Sequence, residues 1–387
     1  MHTDMSQKTK QELLARLRRH YVKAGFEYRS RLLDQAVELL GHHRKAAIRA
    51  LRAKPCTIKA PALILGRPKE YEPDKLLPIL KPIWFAALQP CGRRLVALLP
   101  EWLEAYEADH HRIDADARQA LLAASARTLD RLISPLRAGI KPRGGTRPGS
   151  LLRQSIPIRG TWDEEGAGWL EIDTVALCGG SLDDKHLWML DGVDIVTDWT
   201  EQRAQENRSQ HCTLTQIKDV EQSLPFPLQG VDSDNGGEFL NHNLVRYFQV
   251  RPKPVLFTRS QPYRKNDNAH VEQRNWTHVR QHFGYERYDN PAVVPLINAL
   301  CKGPLGQLHN HFLPTCKLQD KRRVAKRIVR IYGAALTPYQ RVLESKEAAA
   351  NTKAKLQQLH AKLNPFQLQR DIERQKQQIQ DQRLLKA

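Results

Sequence analysis

Twelve residues, 139–150 (GIKPRGGTRPGS), hold four glycines and two prolines. Glycine is entropically costly inside a helix or strand and proline removes a backbone donor, so no regular element runs through such a stretch. It divides a chain with two different hydrophobic periods. Before it, apolar residues recur at helical spacing; after it come apolar runs of strand length. With Lys141, Arg143 and Arg147 it reads as a flexible basic linker over 139–160.

On the N-terminal side, residues 31–54 (RLLDQAVELLGHHRKAAIRALRAK) place Leu33, Ala36, Val37 and Leu40, then Ala47, Ile48 and Leu51, on helical faces around Gly41. This is a helix, a turn near Leu40–His42 and a second helix, the helix-turn-helix pattern. The second helix would expose His43, Arg44, Lys45 and Arg49 to DNA; an ordinary helical hairpin with a solvated basic face gives the same pattern. Arg67 and Lys69, in a Gly/Pro-punctuated stretch, suit a segment lying along a DNA backbone or minor groove. Helices follow near 74–88 and 92–107. In Asp116–Leu136, Ser125 can cap a helix exposing Arg127, Thr128 and Arg131. The expected divisions are a helix-turn-helix domain over 1–65 and a second helical DNA-binding domain over 66–138.

Beyond the linker, strands are expected at 169–178, 186–196, 200–205, 227–232 and 254–258. Helices are expected at 209–223, 238–249 and 267–283, with Trp276 packed on the sheet. The order βββαβαβα is a mixed α/β domain with a sheet between helices, over 161–300. Residues 301–345 form a basic region in which KRRVAKRIVR (321–330) alternates as a strand. Residues 346–387 form a helical tail broken at Asn364-Pro365; it suits contacts between chains or a solvated extension equally.

Charge follows the same divisions. The formal net charge is +19, from 61 Lys+Arg against 42 Asp+Glu. Residues 1–150 carry 28 basic and 15 acidic side chains, 151–250 carry 7 and 17, and 251–387 carry 26 and 10. Basic arms point to a polyanion, whereas an acidic middle repels phosphate unless cations intervene. No apolar run of about 18 residues is present to span a membrane. The polar N-terminus lacks the apolar core of a secretion signal, and the six cysteines form no C-x-x-C pair. The expectation is a cytoplasmic protein, nucleoid-associated when bound to DNA, without a structural zinc.

Three carboxylates stand out. Asp173 lies mid-strand between Ile172 and Val175, where a lone charge is costly to bury. Asp234 follows the fourth strand and precedes Asn235-Gly236-Gly237, at the strand end where α/β folds place their chemistry. Glu272 lies on the helix after the fifth strand. Asp232 shares a strand face with Asp234 and competes with it.

These residues carry a resemblance. Leu170-Glu171-Ile172-Asp173-Thr174, Asp232-Ser233-Asp234-Asn235-Gly236-Gly237-Glu238-Phe239 and Arg259-Ser260-Gln261-Pro262-Tyr263 with Asn268-Ala269-His270-Val271-Glu272 resemble the motifs of retroviral-integrase-like DDE transposases of bacterial insertion sequences. The likeness covers about 150–345, with weaker similarity in the helix-turn-helix regions and at TPYQRVL (337–343). The second and third acids are separated by 37 residues, against 35 in the family pattern, and Ala269 stands where relatives often have glycine. The family places its second acid immediately before Asn-Gly, which selects Asp234.

The resemblance implies a ribonuclease H-like core with a mixed five-stranded sheet. It implies a catalytic and metal-binding triad of Asp173, Asp234 and Glu272 holding two Mg²⁺ or Mn²⁺ ions, hard cations that prefer carboxylate oxygen. The implied reaction is 3′-end cleavage at transposon terminal inverted repeats, then strand transfer into target DNA. Joining two ends implies at least a dimer on DNA. Arg264 and Lys265 near Glu272, and Lys321, Arg322 and Arg323 in the basic C-terminal region, are further expected DNA contacts. A catalytically silent DNA-binding regulator derived from such an enzyme is the alternative.

Overall fold

The structure is a computed structural model describing residues 7–41, 43–53, 71–137, 166–182, 185–234, 236–259, 275–324 and 327–384. The chain separates into two compact units, Met1–Lys69 and Glu70–Ala387.

The first unit holds three helices, α1 (Gln7–Lys23), α2 (Phe26–Leu40) and α3 (Arg44–Arg52). Leu17, Tyr21, Leu32, Leu33, Ala36, Leu40, Ala47 and Leu51 form its core, so the helical period of 31–54 is the one that buries. Gly41 ends α2 at φ +66, a left-handed conformation that costs glycine nothing. His43 then caps α3, its ring accepting from the Lys45 N–H at 3.3 Å. The Arg18 guanidinium closes the unit by donating to the Ala50 carbonyl at 2.8 and 3.0 Å.

The second unit begins with α4 (Pro73–Ala86), α5 (Gly92–Asp109), α6 (Ala115–Ala123) and α7 (Ala126–Arg137). A five-stranded sheet follows: β1 (Trp169–Ala176), β2 (Trp188–Asp194), β3 (Thr200–Gln205), β4 (Gly230–Ser233) and β5 (Leu256–Arg259). Helix α8 (Gln210–Ser223) precedes β4 and α9 (His242–Gln249) precedes β5. The strand order is β3-β2-β1-β4-β5. The β1–β2 and β2–β3 pairs are antiparallel; β1–β4 and β4–β5 are parallel. Sequential hairpins explain the antiparallel half and helical crossovers the parallel half.

Alternation assigns the two faces of the sheet. Leu170, Ile172, Leu190, Val231 and Phe257 pack with Ile217 and Val220 of α8 and Leu244 and Phe248 of α9. Val175, Met189 and Ala204 face a second cluster that reaches α4–α7, α10 (Val294–Leu300), residues 301–312 and the C-terminal helix. Helices α4–α7 therefore share a core with the sheet instead of closing a separate helical domain over 66–138. Trp102 of α5 shows this: fully buried, it donates its indole N–H to the Phe312 carbonyl at 3.3 Å and meets the Phe366 ring edge-on at 5.4 Å.

Three local expectations change. Residues 321–330 do not form one strand: they are shared between β6 (Thr315–Val324) and β7 (Arg327–Leu336), an antiparallel pair. Alternation runs through both strands, so period alone hides the reversal. Residues 275–280 are π-helical, and the wider turn rotates the face that α-helical spacing assigns. His278 and Val279 point inward, while Trp276 is 48% exposed and not packed on the sheet. The tail also folds back. After α11 (Pro338–Glu344) and α12 (Ala350–His360), α13 (Pro365–Leu384) buries Phe366, Leu368, Ile372 and Ile379 in the chain's own core. Among the described residues no helix is long and apolar enough to cross a membrane.

Candidate active site

Strand β1 carries Asp173 on the face opposite Leu170 and Ile172. Parallel pairing of β1 with β4 puts Ile172 beside Ser233, so the carboxyl end of β4 delivers Asp234 next to Asp173. Asp173 is half-buried; its Oδ1 accepts from the Thr174 N–H at 2.7 Å and its Oδ2 from the Asn275 amide at 2.6 Å. Asp234 Oδ1 accepts from the Gly236 N–H at 2.8 Å. A Cβ on Gly236 would lie 2.6 Å from the Glu238 carboxylate and 2.8 Å from Asp234, so a side chain there would collide with both acids.

Glu238 is the third acid of this cluster among the described residues. It is 4% exposed, accepts from the Thr174 hydroxyl at 2.8 Å and lies 3.4 Å from the Arg208 guanidinium. Arg208 stacks over the Trp188 ring at 4.4 Å and leaves half its side chain exposed. Burial raises the Asp234 carboxyl to about 7; the charges of Asp173 and Glu238 push the same way, against the Gly236 N–H and Arg208. Two carboxylates crowded in a poorly solvated site cannot both ionise cheaply. Their oxygens are the hard donors a divalent cation takes, and such a cation would remove the repulsion.

The rival acid Asp232 sits deeper, 1% exposed, with the Thr258 hydroxyl donating to it at 2.5 Å. Glu171 and Asp191 on the same face are likewise buried, Asp191 accepting from the Gln202 amide at 3.0 Å. The structure thus brings Asp173 and Asp234 together at a partly open position. Glu272, Arg264, Lys265, Arg67, Lys69, Lys141 and Arg143 lie outside the described residues, and among the described residues no group of three His, Cys, Asp or Glu side chains is arranged to hold a metal ion.

The remaining expected DNA contacts divide by surroundings. Arg44, Lys45 and Arg49 are exposed on α3, but Arg44 is ion-paired with Asp34. Arg127 and Arg131 are exposed on α7, whereas the Thr128 hydroxyl lies 2.9 Å from the capping Ser125. Arg322 is exposed and pairs with Asp320 at 2.5 Å. The backbones of Lys321 and Arg323 pair with Arg330 and Ile328 across the β6–β7 ribbon. Sequence reasoning missed Glu238, Arg208 and Asn275. Glu238 was visible in the Asp-Asn-Gly motif; Arg208 carries no local signal, because only folding brings the loop after β3 to the end of β4.

No family model matches the chain. It is 34% identical over 352 residues to the uncharacterized protein y4rM of Sinorhizobium fredii, covering 87% of this chain and 96% of that protein. Two solved structures show distant likeness. The simian T-cell lymphotropic virus intasome in complex with PP2A regulatory subunit B56 gamma aligns at TM-score 0.30 and 13% identity, over 54% of this chain and 68% of that one. The HTLV-2 integrase catalytic core domain in complex with magnesium aligns at 0.29 and 13%, over 39% and 90%.

Proposed function

The chain belongs to the family of the Sinorhizobium fredii protein y4rM, and we propose that it is a DDE-type DNA transposase that binds transposon ends and carries out metal-dependent 3′-end cleavage and strand transfer. The supporting observation is the pair Asp173 and Asp234. They sit at neighbouring parallel strands, partly buried, each held by a backbone N–H, with Asp234 raised to about 7 by burial and the charge of Asp173. A fold does not accumulate mutually repelling carboxylates for stability alone.

Asp173 and Asp234, with Glu272, would hold Mg²⁺ or Mn²⁺. Such ions, when bound, neutralise phosphate charge and favour ionisation of the attacking oxygen. The chain's own groups set the geometry. The Asn275 amide and Thr174 N–H fix the Asp173 carboxylate, and the Gly236 N–H fixes Asp234. Thr174 and Arg208 hold Glu238 beside them. Arg208, half-exposed on the Trp188 ring, can meet a phosphate at the rim of the cluster.

Helix α3 would read the terminal repeats. Lys45→Ala and Arg49→Ala should each weaken end binding and lower the slope of log affinity against log salt by about 0.9 for every phosphate left without its cation. Arg44→Ala should do less, since Asp34 already neutralises Arg44. Equal effects from all three would remove that distinction.

The raised Asp234 gives a pH test. A folded pKa above the unfolded value means the proton stabilises the fold. That contribution is full below the ordinary carboxylate range and is lost as pH rises through about 7. A divalent cation binds the ionised form, so the rise in melting temperature on adding Mg²⁺ should be larger at pH 8 than at pH 5.5. Asp234→Asn should shrink it. An equal Mg²⁺ shift at both pH values would rule out Asp234 as the responsive ligand.

A further inference from the structure

We infer that Arg208 is an exchangeable counter-ion that couples DNA binding to cation binding. With no DNA bound it neutralises Glu238. A backbone phosphate takes it away, which returns the Glu238 charge to the Asp173 and Asp234 cluster and raises the cluster's affinity for a divalent cation. The inference rests on the proposed reading that DNA and a divalent cation meet at this site, and adds how the site is regulated.

Glu238 touches both sides of this exchange. Its Oε1 accepts from the Thr174 hydroxyl at 2.8 Å and lies 3.4 Å from the Arg208 guanidinium. Its Oε2 faces the cluster: the point where a Cβ on Gly236 would stand is 2.6 Å from Glu238 Oε2 and 2.8 Å from Asp234 Oδ1. Burial and Asp173 dominate the raised Asp234 carboxyl, but Glu238 also raises it and Arg208 lowers it, so the cluster feels both charges. The two side chains differ in freedom. Glu238 is 3% exposed and Arg208 49%, so the acid stays in place and the cation can change partner.

The present pairing is weak enough to exchange. Charged hydrogen bonds close to about 2.7–2.9 Å, shorter than the Arg208–Glu238 separation, and an ion pair with one partner half in water gains little. A phosphate offers two oxygens to the planar guanidinium fork. The Trp188 ring, its centre 4.4 Å away, holds the guanidinium while half the side chain stays in water. Ser209, next in sequence, caps α8, its hydroxyl accepting from the Cys212 N–H at 3.3 Å. The positive end of a 14-residue helix therefore begins beside Arg208 and favours an anion there. Arg203 shows the opposite case: fully buried between Glu201 and Asp219, it has no route to a phosphate.

The test measures the affinity of the full chain for a labelled duplex of arbitrary sequence, at fixed ionic strength, with Mg²⁺ and with chelator. The ratio of the two affinities is the coupling factor, and linkage makes it equal to the change in cation affinity on binding DNA. The wild-type factor should exceed that of Arg208→Gln by at least about fivefold, the lower end of ordinary coupling. Glu238→Gln should lower the factor as far. Arg208→Gln/Glu238→Gln should go no further than either single variant, because both changes break one exchange. Arg208→Lys should keep more of the factor than Arg208→Gln, since the charge remains. Arg246→Gln, exposed on α9, should leave it at the wild-type value. The Arg208 variants, at a half-exposed position, carry the test if Glu238→Gln fails to fold. Equal factors in wild type and Arg208→Gln overturn the inference, as do single-variant losses that add in the double variant. Equal factors alongside Mg²⁺-dependent cleavage by wild type refute the exchange alone. The expected differences in a protein that never cleaves DNA refute the transposase reading and uphold the exchange.

Discussion

Asp173→Asn and Asp234→Asn are each expected to lower Mg²⁺-dependent strand cleavage by about 10³-fold or more, equivalent to about 4 kcal/mol of transition-state stabilisation, with duplex affinity in chelator unchanged. Asparagine keeps the shape and the hydrogen-bond acceptor but removes the charge that a hard cation needs. The fold should not suffer. Asp234 is a buried carboxylate repelled by Asp173 and Glu238, so in the absence of divalent cations Asp234→Asn should melt at the same temperature as wild type or higher. Loss of activity together with equal or greater stability separates a chemical role from a structural one. Wild-type cleavage by either variant with Mg²⁺ present would refute the assignment, and lost cleavage with a lowered melting temperature would reassign the residue to structure.

Trp102→Ala carries the largest expected cost to stability, about 3–5 kcal/mol. The side chain is fully buried, and its indole N–H is paired with the Phe312 carbonyl. Beyond its own helix α5, its ring partners come from two distant parts of the chain, Phe312 and Phe366 of α13. Truncation therefore weakens a core that also contains Val175 and Met189 of the sheet. Unfolding followed by tryptophan fluorescence and by far-ultraviolet circular dichroism should show helices and sheet of the second unit destabilised in one transition. Leu122→Ala, at a 44% exposed position on α6, should stay within about 0.5 kcal/mol of wild type. If Trp102→Ala shifts a separate helical transition and leaves the sheet's midpoint unmoved, α4–α7 are an independent domain after all.

Local pattern carried much of this architecture. The strand-length apolar run from Trp169 to Cys178 identified β1, and Asp173 stood out within it as the exceptional acid. Gly41 marked the α2–α3 turn because a left-handed residue there is a local requirement. Ser125 marked the start of α7 for a similar reason, its hydroxyl accepting the Thr128 N–H at 3.2 Å. Asp234 was legible through its Asn-Gly context and the strand before it.

What stayed hidden depends on residues far apart in sequence. Nothing near Trp102 announces Phe312 or Phe366, so α4–α7 read as a domain of their own and α13 as a tail. The inward turn of His278 and the exposure of Trp276 follow from π-helical winding, which α-helical spacing cannot anticipate. Arg208 lies in a polar loop with no motif; its place beside Glu238 exists only once β3 and β4 share a sheet. The ribbon of β6 and β7 reads as one strand because basic and aliphatic residues alternate on both sides of the reversal.

The decisive measurement is product analysis with the wild-type chain, duplexes cut from the DNA on either side of its gene as candidate transposon ends, a separate target duplex and Mg²⁺ or Mn²⁺. The expected product is a branched molecule in which a 3′ end from one of those duplexes is covalently joined to a target strand, formed with either cation and abolished by chelation. Cleaved ends released without joining would instead indicate a nuclease. End binding with no cleavage under any divalent cation would contradict the transposase assignment and leave a DNA-binding regulator.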